Sequence, residues 1–332
     1  MRIIKNEEIS VEKWTKLLAL SIYKSPFQSP QFYKFFNTVD GFSADVFAIE
    51  EDEEYKALLV ITIQKEKGIK SYFSRRGIVY GGPLLLDSMP QVVKSLINEV
   101  TRFYTRKVIY LEIRNNFDFN SIYSIYKNSG WEYHKHHNVQ LDVSSLNLEE
   151  ILANMKYNRR REINISYKEG AFVSEAKNER EVVLLYENLK ELYKERVNVP
   201  LPPKSYFISL YESSLGKVFI VKHDDNLIGG AFCLFSKKSG IYTLYYTGNR
   251  NYHKKIFPTH LAIMGVIKFA LNNGLKMVDF MGAGKPGIDY GVRSFKLQFG
   301  GDLVEHGRYL KILNPFLYRV GKVGLYFLSK LK

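Results

Sequence analysis

The sequence predicts an α/β protein of two similarly ordered domains, and three observations lead there. Its 332 residues are enough for two hydrophobic cores. One order of elements (helix, three-strand meander, helix, strand, helix, strand) is legible before about residue 145 and again after it. The charge divides at the same place. Residues 1–145 carry 19 Lys/Arg against 17 Asp/Glu, whereas residues 146–332 carry 29 against 17.

In the first half, Trp14, Leu17, Leu18 and Ile22 recur at helical spacing, predicting a helix over Val11–Tyr23 that Pro26 and Pro30 end. A short helix is expected over Gln31–Phe36. Strands follow at Ala44–Ile49, Tyr55–Gln64 and Ser71–Val79, with the acidic turn EEDEE between the first two. A helix over Pro90–Thr105, a strand over Val108–Ile113, a helix over Phe119–Ser129 and a strand over Trp131–Val143 complete this half. The second half opens with a basic helix, Leu148–Lys168, and a strand, Ala171–Ala176. Helices over Glu179–Glu195 and Pro203–Tyr211 precede strands at Val218–His223, Leu227–Phe235 and Gly240–Thr247. A helix over Pro258–Asn272 begins with Pro and stops before Gly274, in keeping with boundary chemistry. Strands Met277–Phe280 and Asp302–Leu310 enclose a glycine-rich segment, and Asn314–Lys332 reads as a terminal helix.

Composition excludes several classes. A hydrophobic share of 45% with 25% charged residues is that of a globular protein rather than a disordered one. The lone Cys233 excludes an intramolecular disulfide and fits a reducing cytoplasm. MRIIKNEEIS has no apolar signal core and no run of 18 apolar residues occurs, so neither secretion by that route nor membrane spanning is expected. The excess positive charge of residues 146–332 favours anionic partners: a nucleotide-linked precursor, an RNA or an anionic membrane. In the tail, Phe316, Leu317, Val320, Val323, Phe327 and Leu331 fall near one helical face, with Arg319, Lys322, Lys330 and Lys332. Such a helix either packs on its own domain or lies on an anionic membrane surface.

Chemistry concentrates between Asp279 and Gly307. Glycines at 282, 284, 287 and 291 permit sharp turns and close approach to a ligand, and they deliver the pair Phe295–Lys296 to the end of a strand. Asp279 either accepts a proton or caps the turn. Upstream, Lys156 and Arg160 share a helical face at i, i+4, with Arg159 three from Lys156, and offer donors for phosphate or carboxylate. Gly282-Ala-Gly-Lys285 does not satisfy the phosphate-loop pattern, because no Ser or Thr follows the lysine. His134, His136 and His137 lack a third ligand on one strand face, so no metal is expected. Cys233, within an apolar strand, reads as core.

In order along the chain, these segments resemble the Fem-type peptidoglycan aminoacyltransferases and their acyltransferase relatives. The resemblance rests on Gln28-Ser29-x-x-Phe32 and on Arg76-Gly77-x-x-Tyr80-Gly81-Gly82-Pro83 in the first half. In the second it rests on Arg160, Ile163 and Gly170, on Tyr193-x-x-Arg196 ahead of Tyr206-Phe207, and on Tyr245-Tyr246-Thr247-Gly248. The last segment adds Pro258-x-x-Leu261, Gly274, Asp279-Phe280, Gly282, Gly291 and Phe295-Lys296-x-x-Phe299-Gly300. The chain departs from the family at Phe32, where relatives have Trp, and in the Pro-rich VNVPLPPK after Arg196. The resemblance implies two tandem GNAT-like domains, 1–145 and 146–313, each a mixed sheet flanked by helices, followed by the helix 314–332. It also implies a working lysine at Lys296, an acceptor-contacting Tyr246, and precursor contacts from Arg196 and Lys34.

The acyl donor separates the function classes. Acetyltransferases hold coenzyme A pyrophosphate on an [RQ]-x-x-G-x-[GA] loop; the corresponding stretch, Arg250-Asn-Tyr-His-Lys-Lys-Ile-Phe-Pro258, has no glycine. Fem-type enzymes lack that loop too and use aminoacyl-tRNA, so the resemblance implies an enzyme without bound cofactor that takes an aminoacyl group from aminoacyl-tRNA. The acceptor it implies is an amine on a nucleotide- or lipid-linked cell-wall precursor, met in the cytoplasm or at the inner face of the plasma membrane. Acyl-CoA-dependent acylation of an amino sugar in envelope or exopolysaccharide synthesis is the alternative. A non-catalytic scaffold that binds a glycan precursor is the third reading.

Overall fold

The computed structural model describes every residue except 66, 67, 69, 70, 88, 198, 199, 250, 331 and 332, and gives the backbone alone for 325–330. The chain forms two units: Met1–His136 together with Glu305–Lys332, and His137–Val304.

The first unit contains strands β1 (Arg2–Lys5), β2 (Phe42–Glu51), β3 (Glu54–Gln64), β4 (Arg76–Gly81), β5 (Leu84–Leu85), β6 (Tyr110–Asn115), β7 (Glu132–His134) and β15 (Arg308–Ile312). Its helices are α1 (Val11–Leu20), α2 (Pro30–Thr38), α3 (Ser71–Ser74), α4 (Pro90–Tyr104), α5 (Tyr123–Asn128) and α12 (Pro315–Lys330). Local chemistry sets the boundaries. Ser10 Oγ accepts from Lys13 N at 3.3 Å to start α1, and Ser29 Oγ accepts from Phe32 N at 3.1 Å to start α2, with Pro30 in its first turn. The acidic EEDEE turn closes the β2–β3 hairpin with Asp52 and Glu53 both left-handed, at φ 51° and 60°. Strand order is β1-β2-β3-β4-β6-β15-β7, with β5 paired to β3. Every pairing along that path is antiparallel except β4–β6, which is parallel.

The second unit contains β8 (His137–Asp142), α6 (Leu148–Asn154), α7 (Tyr157–Lys168), β9 (Phe172–Glu175), α8 (Glu179–Arg196), α9 (Lys204–Glu212), β10 (Gly216–His223), β11 (Asn226–Ser236) and β12 (Gly240–Gly248). It continues through α10 (Pro258–Asn272), β13 (Met277–Gly282), α11 (Gly291–Leu297) and β14 (Asp302–Glu305). Its strand order is β14-β8-β13-β12-β11-β10-β9. Asn147 and Glu150 form a reciprocal capping box at α6, and Asn178 caps α8. The pleat of β11 divides the two layers of helices. Ala231 and Cys233 join the core under α10, while Phe232 meets Phe207 of α9 at 4.6 Å on the other face. Cys233 is fully buried, and burial pushes its thiol pKa up.

The two sheets share one plan: an antiparallel meander, one parallel step (β4–β6 or β12–β13), then an antiparallel strand (β15 or β8) and an edge strand. The strands that complete each plan come from distant parts of the chain, which the sequence reading did not anticipate. The strand expected over Trp131–Val143 is two strands, β7 in the first sheet and β8 in the second. The one expected over Asp302–Leu310 divides likewise, β14 staying in the second sheet and β15 pairing with β6 in the first. Gly307, at φ +67°, marks the second break. The compact units therefore run to His136 and from Glu305, not to the cuts drawn near 145 and 313. Two smaller differences follow from local packing. Ser71–Ser74 is helical rather than the start of a strand, and the basic helix expected over 148–168 breaks at Met155–Lys156 into α6 and α7.

The returned strand carries much of the first core. Tyr309 is buried and stacks on Tyr126 with centroids 4.1 Å apart, touching Tyr133 and Tyr123 as well. Tyr309→Ala is expected to destabilise the first unit by about 3–5 kcal/mol, as large aromatic truncations do. Hydrogen exchange should place the loss of protection within residues 1–136 and 305–332 and leave the amides of 137–304 protected.

Candidate active site

The fork between β12 and β13 organises the second unit. These parallel strands register only at Ile241–Val278 and Tyr242–Asp279. Beyond that point β13 bulges against β8, and Met281 takes a left-handed φ of 62°, unusual for a side chain of its size. The distortion has an internal brace. Asp279, with 0% exposure, accepts from Met281 N at 2.6 Å on one carboxylate oxygen and from Gln140 Nε2 at 3.0 Å on the other.

The bulge turns two carbonyls toward α11. Lys296 is only 5% exposed, and its Nζ donates to Gly282 O at 2.7 Å and Met281 O at 3.4 Å. An ammonium has three donors, so one N–H remains for an incoming oxygen. Burial lowers the lysine pKa from 10.5 to about 8, against the attraction of Asp279, so at neutral pH most of it stays protonated. Burial likewise raises Asp279 to about 6, opposed by its hydrogen bonds from Gln140 and Met281 and then by the charge of Lys296. With both oxygens engaged and no exposure, Asp279 is placed to cap the bulge rather than to meet a substrate.

Arg293 fixes the glycine loop that feeds α11. Its Nε donates to Ala283 O at 2.9 Å and its Nη1 to Ile288 O at 3.1 Å, and Nη2 donates to Lys285 O. His137 pairs with the same loop through its backbone, accepting from Ala283 N and donating to Gly284 O. Gly284 needs its φ of +79°, and a Cβ there would meet the Tyr290 ring at 2.8 Å.

Phe295 points to the other tine of the fork. Its ring stacks on Tyr246 of β12 at 5.6 Å and touches His260 of α10 and Phe299. The guanidinium of Arg159 lies over Phe295 at 4.7 Å and over Phe299 at 4.9 Å. Arg159 is buried, donates to Gln298 Oε1 at 2.7 Å, contacts His260 Nε2, and faces Glu162 at 3.5 Å. Burial lowers its pKa to about 10, and it remains charged.

Of the residues singled out by sequence, Asp279, Tyr246, Phe295 and Lys296 are thus brought together. Lys156 is exposed beside the start of α7, and its backbone N donates to Gln298 O. Arg160 is half-buried, donates to Leu152 O at 3.2 Å, and lines a shallow basic depression with Tyr157, Arg161, Asn164, Ile165 and Lys168. Arg196 ends α8 in solvent, and Lys34 is exposed on α2 of the first unit. The sequence reading missed His260, Gln140 and Arg293, and it grouped Arg159, three residues from Lys156, with the outward basic face rather than with the site. A signal existed for Arg159: it precedes buried Ile163 and Ser166 at i+4 and i+7, the register of the inward face of α7. Among the described residues, no group of three His, Cys, Asp or Glu is placed to hold a metal.

Residues 153–294 match the family model described as acetyltransferase (GNAT) domain. No curated protein matches the chain by sequence. Among solved structures, the crystal structure of FemX is similar over 96% of this chain and 99% of its own, with a TM-score of 0.74 and 15% identity. A tandem GNAT protein from the clavulanic acid biosynthesis pathway matches over 95% and 99%, with a TM-score of 0.59 and 10% identity. L-PGS from Bacillus licheniformis matches over 94% and 96%, with a TM-score of 0.57 and 14% identity.

The lysine environment can be measured without any substrate. In an NMR titration of labelled lysine, Lys296 should titrate near pH 8, and Asp279→Asn should move it lower still, because the carboxylate is the charge that raises it. A midpoint near 10.5 would contradict the burial described. The chain has the fold of the FemX structure, two GNAT-like units in tandem, and residues 153–294 of its second unit match the acetyltransferase (GNAT) domain model.

Proposed function

We propose that the second unit transfers an aminoacyl group from aminoacyl-tRNA to an amine on a nucleotide- or lipid-linked cell-wall precursor. The observation that carries this reading is the buried ammonium of Lys296, held by two carbonyls at the strand fork with one N–H to spare. The acceptor nitrogen attacks the ester carbonyl, a C–N bond forms and the C–O bond to the ribose breaks. The proton that leaves the amine ends on the ribose oxygen. Negative charge builds on the carbonyl oxygen during the addition, and a fixed cation lowers that barrier. Tyr246 and Phe295 form a rigid aromatic wall beside it, and Arg159 locks that wall from behind through its contacts with Phe295 and Phe299.

The turn before α10 supports a donor other than coenzyme A. Four of its backbone donors are already engaged: Asn251 N to Asn249 Oδ1, Lys255 N to His253 Nδ1, Ile256 N to His253 O and Phe257 N to Ser166 Oγ. Pro258 has no N–H to offer. A pyrophosphate needs free amides there, whereas tRNA is held by side-chain charge. Arg250, the first residue of the corresponding stretch, lies outside the described residues. The name of the L-PGS relatives, lysylphosphatidylglycerol synthetase, also favours aminoacyl chemistry on this fold. Arg160, Arg161 and Lys168 supply a basic face for phosphates, and Arg196, Lys156 and Lys34 are further candidate contacts.

Purified protein incubated with charged tRNA and precursor should consume the aminoacyl ester, and acetyl-CoA with an amino sugar should go unused. The reverse outcome establishes the acyl-CoA reading, and consumption of neither donor establishes the scaffold. Lys296→Met should lower turnover roughly 100- to 1000-fold with little change in acceptor affinity, Lys296→Arg restoring only part. Unchanged turnover in Lys296→Met would make the lysine a bystander. Gln at Arg160, Arg161 and Lys168 should weaken tRNA binding and reduce the salt slope by about one unit for each phosphate no longer neutralised. An unaltered slope would leave that face merely solvated.

A further inference from the structure

The first unit presents an apolar surface that no domain core uses, made by two helices far apart in sequence. On α12, Phe316 is 73% exposed, Val320 38% and Val323 53%, and their spacing of four and three residues places them on one face. The helix is anchored from its other side. Asn314 Oδ1 accepts from Leu317 N at 3.0 Å, Leu313 packs against the first core, and Tyr318 meets Tyr110 edge-on at 5.4 Å. At Gly321 the helix comes against α3: a Cβ there would lie 3.4 Å from Phe73 O. From α3 itself, Tyr72 is 62% exposed and Phe73 45%.

The charges around this surface have one sign. The Arg75 guanidinium lies over the Tyr72 ring at 5.3 Å, and Lys322 Nζ over the Tyr318 ring at 4.8 Å. Among the described side chains of residues 65–80 and 313–332, the charged ones are Lys65, Arg75 and Arg76 around α3 and Arg319 and Lys322 on α12, with no acidic residue. Aromatic rings and aliphatic side chains ringed by cations whose stems lie along them suit the boundary between lipid acyl chains and anionic headgroups. A protein partner of matching shape would have to be both apolar and strongly acidic; an anionic bilayer is both by construction. Among the described residues, no helix is long and apolar enough to cross a membrane, so the contact lies in the interface plane.

We infer that α3 and α12 together form a docking face for anionic lipid bilayers, with Tyr72, Phe73, Phe316, Val320 and Val323 entering the headgroup region and Arg75, Arg319 and Lys322 pairing with lipid phosphates. This goes beyond acyl transfer and does not depend on it. It would hold the enzyme at the surface where a lipid-linked acceptor resides.

Co-sedimentation of the full chain with phosphatidylcholine vesicles, with and without phosphatidylglycerol, tests the assignment. Binding should require phosphatidylglycerol and fall as salt is raised. Arg319→Gln with Lys322→Gln should weaken it roughly tenfold or more. Tyr72→Ser and Phe316→Ser, made singly and together, should each weaken it although no charge changes, and circular dichroism should show that every variant remains folded. Full binding by either single variant would overturn the two-helix face. No binding to either vesicle, or equal binding to both, would overturn the anionic-bilayer assignment. So would light scattering that shows a dimer dissociated by Phe316→Ser, since a second copy would then be the occupant. Acyl transfer to a water-soluble acceptor should be unchanged in all these variants, which separates failure of this inference from failure of the proposed reaction.

Discussion

The site of the second unit depends on keeping two ionisable groups out of water at the end of one strand. Burial acts on both in the unfavourable direction, lifting Asp279 from 3.8 to about 6 and lowering Lys296 from 10.5 to about 8. Each shift corresponds to something on the order of 3 kcal/mol against the charged form. A pair of apolar side chains would fill the same volume without that penalty. The bulge at Met281 adds backbone strain in the same place. Burial cost and strain therefore coincide at one fork, where the surrounding loop is laced by Arg293 and by the strand pairing of β8. Strain and buried, pKa-shifted charge concentrated at one place are the features by which functional sites are recognised.

The legible part of this architecture is the part that local chemistry determines. Caps at Ser10, Ser29, Asn147 and Asn178, proline at the start of α10, and the two left-handed residues of the EEDEE turn act within a few residues of sequence. They placed most helices and the meander strands close to where they lie. The pair Phe295–Lys296 was legible too, because closely spaced glycines ahead of a lysine announce a close approach.

Illegible features are those that chain separation hides. β7 and β8 read as one strand because period-two alternation carries no mark of which sheet a residue joins. The chain leaves the first sheet after His134 and enters the second at His137; it returns between Glu305 and Arg308. The consequence is mechanical. β8 supplies Gln140 to the Asp279 carboxylate, 139 residues further along the chain. β15 supplies Tyr309 to the other core, so the first unit is completed by a strand that follows the whole of the second. Arg159 was read as part of the outward basic face for a related reason. Its two aromatic partners lie far along the chain, and only the helical register of α7 distinguishes it from its neighbour Arg160.

That one-residue difference separates two kinds of cation on the same helix. Arg160 and Arg161 line a basic depression, where the N–H groups not bonded within the protein meet water or phosphate and their contribution is screened by salt. Arg159 is withdrawn between two rings, with Gln298, Glu162 and His260 around it. A charge so enclosed gives little to long-range attraction, but it resists any displacement of Phe295 and Phe299. Since Phe295 directly precedes Lys296 on a helix of seven residues, holding that ring also fixes where the ammonium sits. An oxyanion donor acts through its position as much as its charge. In the proposed reaction the outward arginines of α7 would gather the anionic substrate, while the inward one keeps the lysine aimed.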